Sequence, residues 1–142
     1  MPEPVPHIAF RCSTAAAIDR LCQRFQLFPN VQDWEIVVAD PERIREFLDA
    51  YEKEPFDDDE RFTLMALLIA SFDDLLRENR DDPEAWHRLH AHLRRRFDLH
   101  GYTVQYWSLA DQDELTEGFA ITPRVQEVMG EVFGDRSRWP RD

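Results

Sequence analysis

Three times along this chain a hydrogen-bonding residue stands directly before a proline: Asp40-Pro41-Glu42, Asp82-Pro83-Glu84 and Thr122-Pro123. No other feature constrains the fold as much. The Asp or Thr side chain accepts an N–H that the first turn of a helix leaves unpaired, and proline at the first helical position lacks the N–H that would be wasted there. The glutamates after two of these prolines meet the positive end of a helix dipole. The chain is punctuated by helix starts. Four glycines in 142 residues leave few tight turns for an all-β fold.

Apolar spacing fills in the helices between these signals. Ser13 or Thr14 caps a first helix carrying Ile18, Leu21, Cys22 and Phe25, which stops before Pro29. The helix after Asp40 presents Ile44, Phe47, Leu48 and Tyr51 on one face and ends near Lys53, before Pro55. Asp57-Asp58-Asp59 then starts a longer helix ending near Asn79. It carries Phe62, Leu64, Met65, Leu67, Leu68, Ile69, Phe72, Leu75 and Leu76 nearly all round, which predicts a place at the centre of the core. A further helix carries Trp86, Leu89, Leu93 and Phe97, with Arg94, Arg95 and Arg96 in its last turns and Gly101 as its C-cap. The last carries Val125, Val128, Met129, Val132 and Phe133 and ends at Gly134. Two segments rich in β-branched and aromatic residues read as strands, Trp34 to Ala39 and Tyr102 to Trp107, with His7 to Arg11 as a weaker third.

The expectation is a mainly α, single-domain bundle of four to five helices over residues 13–134, with room for a small two- or three-stranded sheet. An extended segment, 1–12, precedes it and a tail, 135–142, follows. The proline caps recur about every 40 residues, the period of a HEAT-like array. The units do not match beyond the cap: residues 60–79 read as a strong helix, whereas 102–119 read as a strand and a polar loop. Shared capping chemistry explains the spacing.

Charge narrows the partners. Seventeen Lys and Arg against 29 Asp and Glu give a net charge of −12, which disfavours nucleic acid and anionic membranes. The longest apolar run, Leu64 to Ala70, falls far short of the roughly 20 residues of a membrane span. Met1-Pro2-Glu3-Pro4-Val5-Pro6 has neither the basic region nor the apolar core of a signal peptide. A cytoplasmic, reducing setting is expected, in which Cys12 and Cys22 form no CxxC pair and Cys22 reads as a buried thiol.

Motifs for catalysis are absent. The sequence has no G-x-S-x-G, P-loop, G-x-G-x-x-G or H-E-x-x-H, so no catalytic residue and no cofactor are assigned and a non-enzyme is favoured. The metal alternative uses Glu84, His87 and His90, an E-x-x-H with a second histidine three residues on. Against it, Glu84 already suits a first-turn position and only one such motif is present. Arg94, Arg95 and Arg96 complement a helix C-terminus; capture of a phosphate or an acidic ligand is the functional alternative.

Acid clustering is more informative. Residues 40–60 carry a net charge of −7 and residues 73–84 a net charge of −4. Side by side, they would make a negative surface that steers basic partners; a solvated face that keeps the protein soluble is the plain alternative. Trp34 and Trp107, flanked by Asp33, Glu35 and Ser108, have the composition of interface anchors, and equally of the edge of a core. The candidate partner-binding set is Trp34, Glu35, Glu54, Asp57, Asp58, Asp59, Asp73, Asp74 and Trp107.

Several short phrases carry a resemblance: Gln32-Asp33-Trp34-Glu35, Ala39-Asp40, Arg43-Ile44, Asp59-Glu60-Arg61-Phe62, Leu64-Met65, Ala70-Ser71-Phe72-Asp73-Asp74 and Tyr106-Trp107-Ser108. Together, over about residues 20–129, they resemble a group of small, acidic, largely uncharacterised bacterial proteins, some of which are of the immunity type that neutralises toxins. The resemblance implies a mostly helical fold without known catalytic residues, and no site residue follows from it. The leading expectation is a non-catalytic binding protein of the immunity or inhibitor type that engages a basic protein through its acidic ends. The alternatives are the metal protein or enzyme described above, and a homo-oligomer that buries Trp34 and Trp107.

Overall fold

Thr14 stands in extended backbone and its side chain accepts the N–H of Ala17 at 3.1 Å, which opens α1 (Ala15–Phe25). The computed structural model describes residues 7–28, 33–109 and 118–140 and shows a mainly helical chain. It divides into two compact units, one of Arg11–Ala85 and one comprising the described residues of Met1–Phe10 with Trp86–Asp142.

The centre of the first unit is α4 (Asp58–Arg77). Asp57 and Glu60 form a reciprocal capping box at its start: each carboxylate accepts the other residue's backbone N–H at 2.8 Å. The all-round apolar middle does what its pattern predicts, with Leu64, Met65, Leu67, Leu68 and Phe72 excluded from solvent. Against α4 pack α1, the one-turn α2 (Trp34–Val37) and α3 (Ile44–Lys53). Phe25 of α1 and Phe47 of α3 meet edge to face, 5.1 Å apart. Asp40 caps as its sequence implies, accepting the N–H of Glu42 at 2.9 Å, but Pro41–Arg43 forms a 3-10 turn before α3 begins. The backbone N–H of Asp40 donates to Ser71 Oγ at 3.0 Å and ties this turn to α4. Arg61 closes the other end of α3. Its guanidinium lies over the Tyr51 ring and donates to the carbonyls of Tyr51, Glu54 and Phe56 at 2.7, 3.2 and 3.1 Å.

α5 (Pro83–Arg95) starts at the end of the first unit, where Asp82 accepts the N–H of Ala85 at 3.1 Å. In the second unit, α6 (Phe97–Ser108) packs on α7 (Thr122–Phe133). The Thr122 hydroxyl donates to the Trp107 carbonyl at 2.8 Å and accepts the Phe119 N–H at 3.1 Å, which joins the end of α6 to the start of α7. α7 ends at Gly134, as expected.

Three expectations are corrected. Seven α-helices stand among the described residues, more than the four to five expected. No strand is present among them, so the small sheet does not form. Trp34 to Ala39 instead holds α2. Its burial is not the alternation a strand needs: Trp34 is buried, whereas Ile36 and Val37 are both exposed. Tyr102 to Trp107 lies within α6, where Thr103, Val104 and Trp107 are buried at helical spacing. Finally, Gly101 is not the C-cap of α5. That helix breaks at Arg96, and Gly101 sits inside α6 because a Cβ there would lie 3.3 Å from both Ile8 and Phe97. His7 to Arg11 has no strand; Phe10 packs edge to face on Tyr102 at 5.0 Å.

Candidate functional site

Many of the described acids are already paired within the chain. Glu54 takes a two-pronged hydrogen bond from Arg24, at 2.7 Å from its Nε. Asp59 pairs with Arg11 at 2.8 Å, Glu46 with Arg43 at 2.7 Å, and Asp82 with Arg45 at 2.8 Å. Arg80 bridges Glu42 and Glu78. The arginines hold their partners ionised: Arg24 lowers the pKa of Glu54, and Arg43 that of Glu46. Asp57 is committed to its cap, and Asp58 is exposed beside it. Asp73 is buried and pairs with Arg77 at 2.9 Å. Neighbouring Asp74 is half-buried; burial, with the nearby charge of Asp73, raises its pKa.

The proposed binding residues are therefore not equivalent. Trp34 and Trp107 are interior side chains, 2% and 5% exposed. Glu35 is half-buried. Among the described residues, Asp33, Glu35 and Asp40 enter no ion pair with an arginine, a lysine or a histidine. Arg43 feels the charge of Asp40, but its hydrogen bonds go to Glu46 and to the Phe25 carbonyl.

These three carboxylates share a short stretch with the exposed apolar residues of the first unit. Phe28 is 73% exposed, Ile36 47% and Val37 59%. Phe28 and α2 are joined from the inside. The Trp34 indole N–H donates to the Phe28 carbonyl at 2.8 Å, and the Cys22 thiol donates to the same oxygen at 3.6 Å. Burial raises the Cys22 pKa and keeps that thiol protonated. Asp33, in the left-handed region at φ 55°, turns the chain into α2. With Trp34 anchored below, Ile36 and Val37 face solvent. The apolar character of WEIVVA was legible in sequence, but not its direction, since single-turn helices have no periodicity to read.

The metal alternative gains no geometry. Glu84 lies 3.6 Å from Arg45, His87 is exposed, and His90 Nε2 is 2.7 Å from Glu131. No group of three or more His, Cys, Asp or Glu side chains suited to a metal ion occurs among the described residues. Of the arginine triplet, Arg94 pairs with Glu131 at 3.0 Å and Arg96 with Asp98 at 3.1 Å, while Arg95 is exposed. No helix among the described residues is long and apolar enough to cross a membrane. No family model, no curated protein and no solved structure matches this chain.

Proposed function

We propose that this chain is a non-catalytic protein-binding module of the immunity or inhibitor type, which engages a basic protein and occludes its site. The observation that carries this reading is the commitment of the arginines. Arg11, Arg20, Arg24, Arg43, Arg45, Arg77 and Arg80 are each paired with acids of their own unit, so these arginines offer no unpaired positive charge to offset the chain's net charge of −12 toward a partner. Such a surplus opposes self-association and raises the encounter rate with a cationic partner. The resemblance to small acidic proteins of the immunity type agrees with this reading.

The test is affinity capture from a lysate of the source organism, washed at ~50 mM and at ~500 mM salt, with mass spectrometry of what stays bound. A stoichiometric basic protein, held at low salt and released at high salt, is expected. Retention only of acidic proteins, or retention indifferent to salt, contradicts the reading.

A further inference from the structure

The acidic reading says what charge the partner carries but not where it lands. The sequence directs attention to residues 52–60 and 73–84, yet most carboxylates there are held by arginines, by a cap or by burial. The geometry points to a different contact: the α2 knob, in which exposed Phe28, Ile36 and Val37 are bordered by Asp33, Glu35 and Asp40. Its occupant is an apolar segment of a partner protein flanked by lysines or arginines. This inference rests on the binding reading above and gives it an address.

Two independent properties coincide there. Among the described residues, the knob holds the exposed large apolar side chains of the first unit, and solvent-facing apolar side chains gain most from being covered. It also holds Asp33, Glu35 and Asp40, which enter no ion pair among the described residues. An apolar centre with a charged rim is the usual anatomy of a protein contact, with the centre setting lifetime and the rim setting encounter rate. The charge also selects the occupant. A second copy of this chain would bring Asp33, Glu35 and Asp40 against themselves, whereas a cationic rim complements them. The Phe28 carbonyl and α2 are tied to the interior: Trp34 and Cys22 both donate to that carbonyl, and the Asp40 N–H donates to Ser71 of α4.

The test uses the full chain and a defined probe, an amphipathic helical peptide of leucine and lysine labelled for fluorescence anisotropy. Two controls accompany it: a shuffled peptide of equal charge without an apolar face, and a leucine–glutamate counterpart. The leucine–lysine helix is expected to bind at least about tenfold more tightly than either control. The double variant Ile36→Ser/Val37→Ser should weaken it by about tenfold or more. The pair Asp33→Asn/Glu35→Gln should weaken it by about fivefold and flatten its salt dependence. Tyr106→Ser, an exposed aromatic of the second unit, should leave it unchanged. Circular dichroism confirms that each variant is folded.

Equal binding of the shuffled peptide would reduce the effect to bulk charge and overturn the inference. So would indifference to the α2 substitutions, or a native mass showing that α2 mediates self-association. If a basic partner is still captured salt-dependently while the α2 variants change nothing, only the address fails. If capture itself is salt-insensitive, the reading beneath it fails as well.

Discussion

Trp34 decides between two accounts of this protein, because a tryptophan bordered by acids is either a partner's anchor or the support of the surface beside it. The structure makes it a support, and the cost of removing it follows. Trp34→Phe keeps an aromatic ring but deletes the indole N–H that donates to the Phe28 carbonyl at 2.8 Å. A neutral hydrogen bond of this kind is worth about 1 kcal/mol net. The Phe28 carbonyl is then left with the weaker Cys22 thiol donor at 3.6 Å. The lost ring area, at about 25 cal/mol per Å² in a site only 2% exposed, adds about another 1 kcal/mol. The expected loss is about 2 kcal/mol, or roughly 8 °C in Tm for a chain of this size. Trp34→Ala also leaves a cavity and should cost about 4 kcal/mol. Thermal unfolding by far-UV circular dichroism is the assay, since the substitution removes one of four tryptophans and alters fluorescence directly. A Trp34→Phe Tm within ~2 °C of the parent would refute the support role and return Trp34 to the surface.

Further consequences can be checked in the same way. Arg61→Ala removes three charge-assisted hydrogen bonds to the carbonyls at the end of α3 and should cost about 3 kcal/mol; Arg61→Lys, a point donor in place of a planar fork, should recover less than half by chemical denaturation. Gln26 is exposed, caps α1 and holds φ 59°, so Gln26→Gly should raise stability by about 1 kcal/mol; an unchanged or lower Tm would argue against strain there. Glu54 is held below its unfolded pKa of about 4.3 by Arg24, so the pair's contribution is complete above that value and is lost as pH falls through the folded value. Tm against pH for the parent should therefore drop more steeply below pH ~5 than for Glu54→Gln, and parallel curves would show that the pair adds nothing.

What the sequence made legible follows the range of the interactions. Capping is local chemistry, so Thr14, Asp57 and Gly134 could be placed from neighbours a few residues away, as could the apolar run of α4. α2 and α6 were not legible because distant contacts decide them. Val and Ile favour strands only where a pleated surface receives them, and here Trp34 turns inward and leaves Ile36 and Val37 facing water. Gly101, a helix terminator by local rules, stands inside α6 at a place where a Cβ would lie 3.3 Å from both Ile8 and Phe97. The site divides in the same way. The number of acids could be counted, but the arginine that pairs with several of them lies far along the chain: Arg24 from Glu54 by 30 residues, Arg45 from Asp82 by 37, and Arg11 from Asp59 by 48. Composition alone thus could not tell which carboxylates of residues 52–60 are paired with arginines.

The central claim is that surplus negative charge brings a basic partner to this chain and apolar contacts then hold it. The most direct measurement is the association rate constant with the captured partner, taken by stopped flow from ~30 mM to ~300 mM ionic strength alongside the dissociation rate. A fall in association of about tenfold or more, with dissociation changing less than about threefold, is the predicted result. An association rate that does not respond to salt would contradict the account.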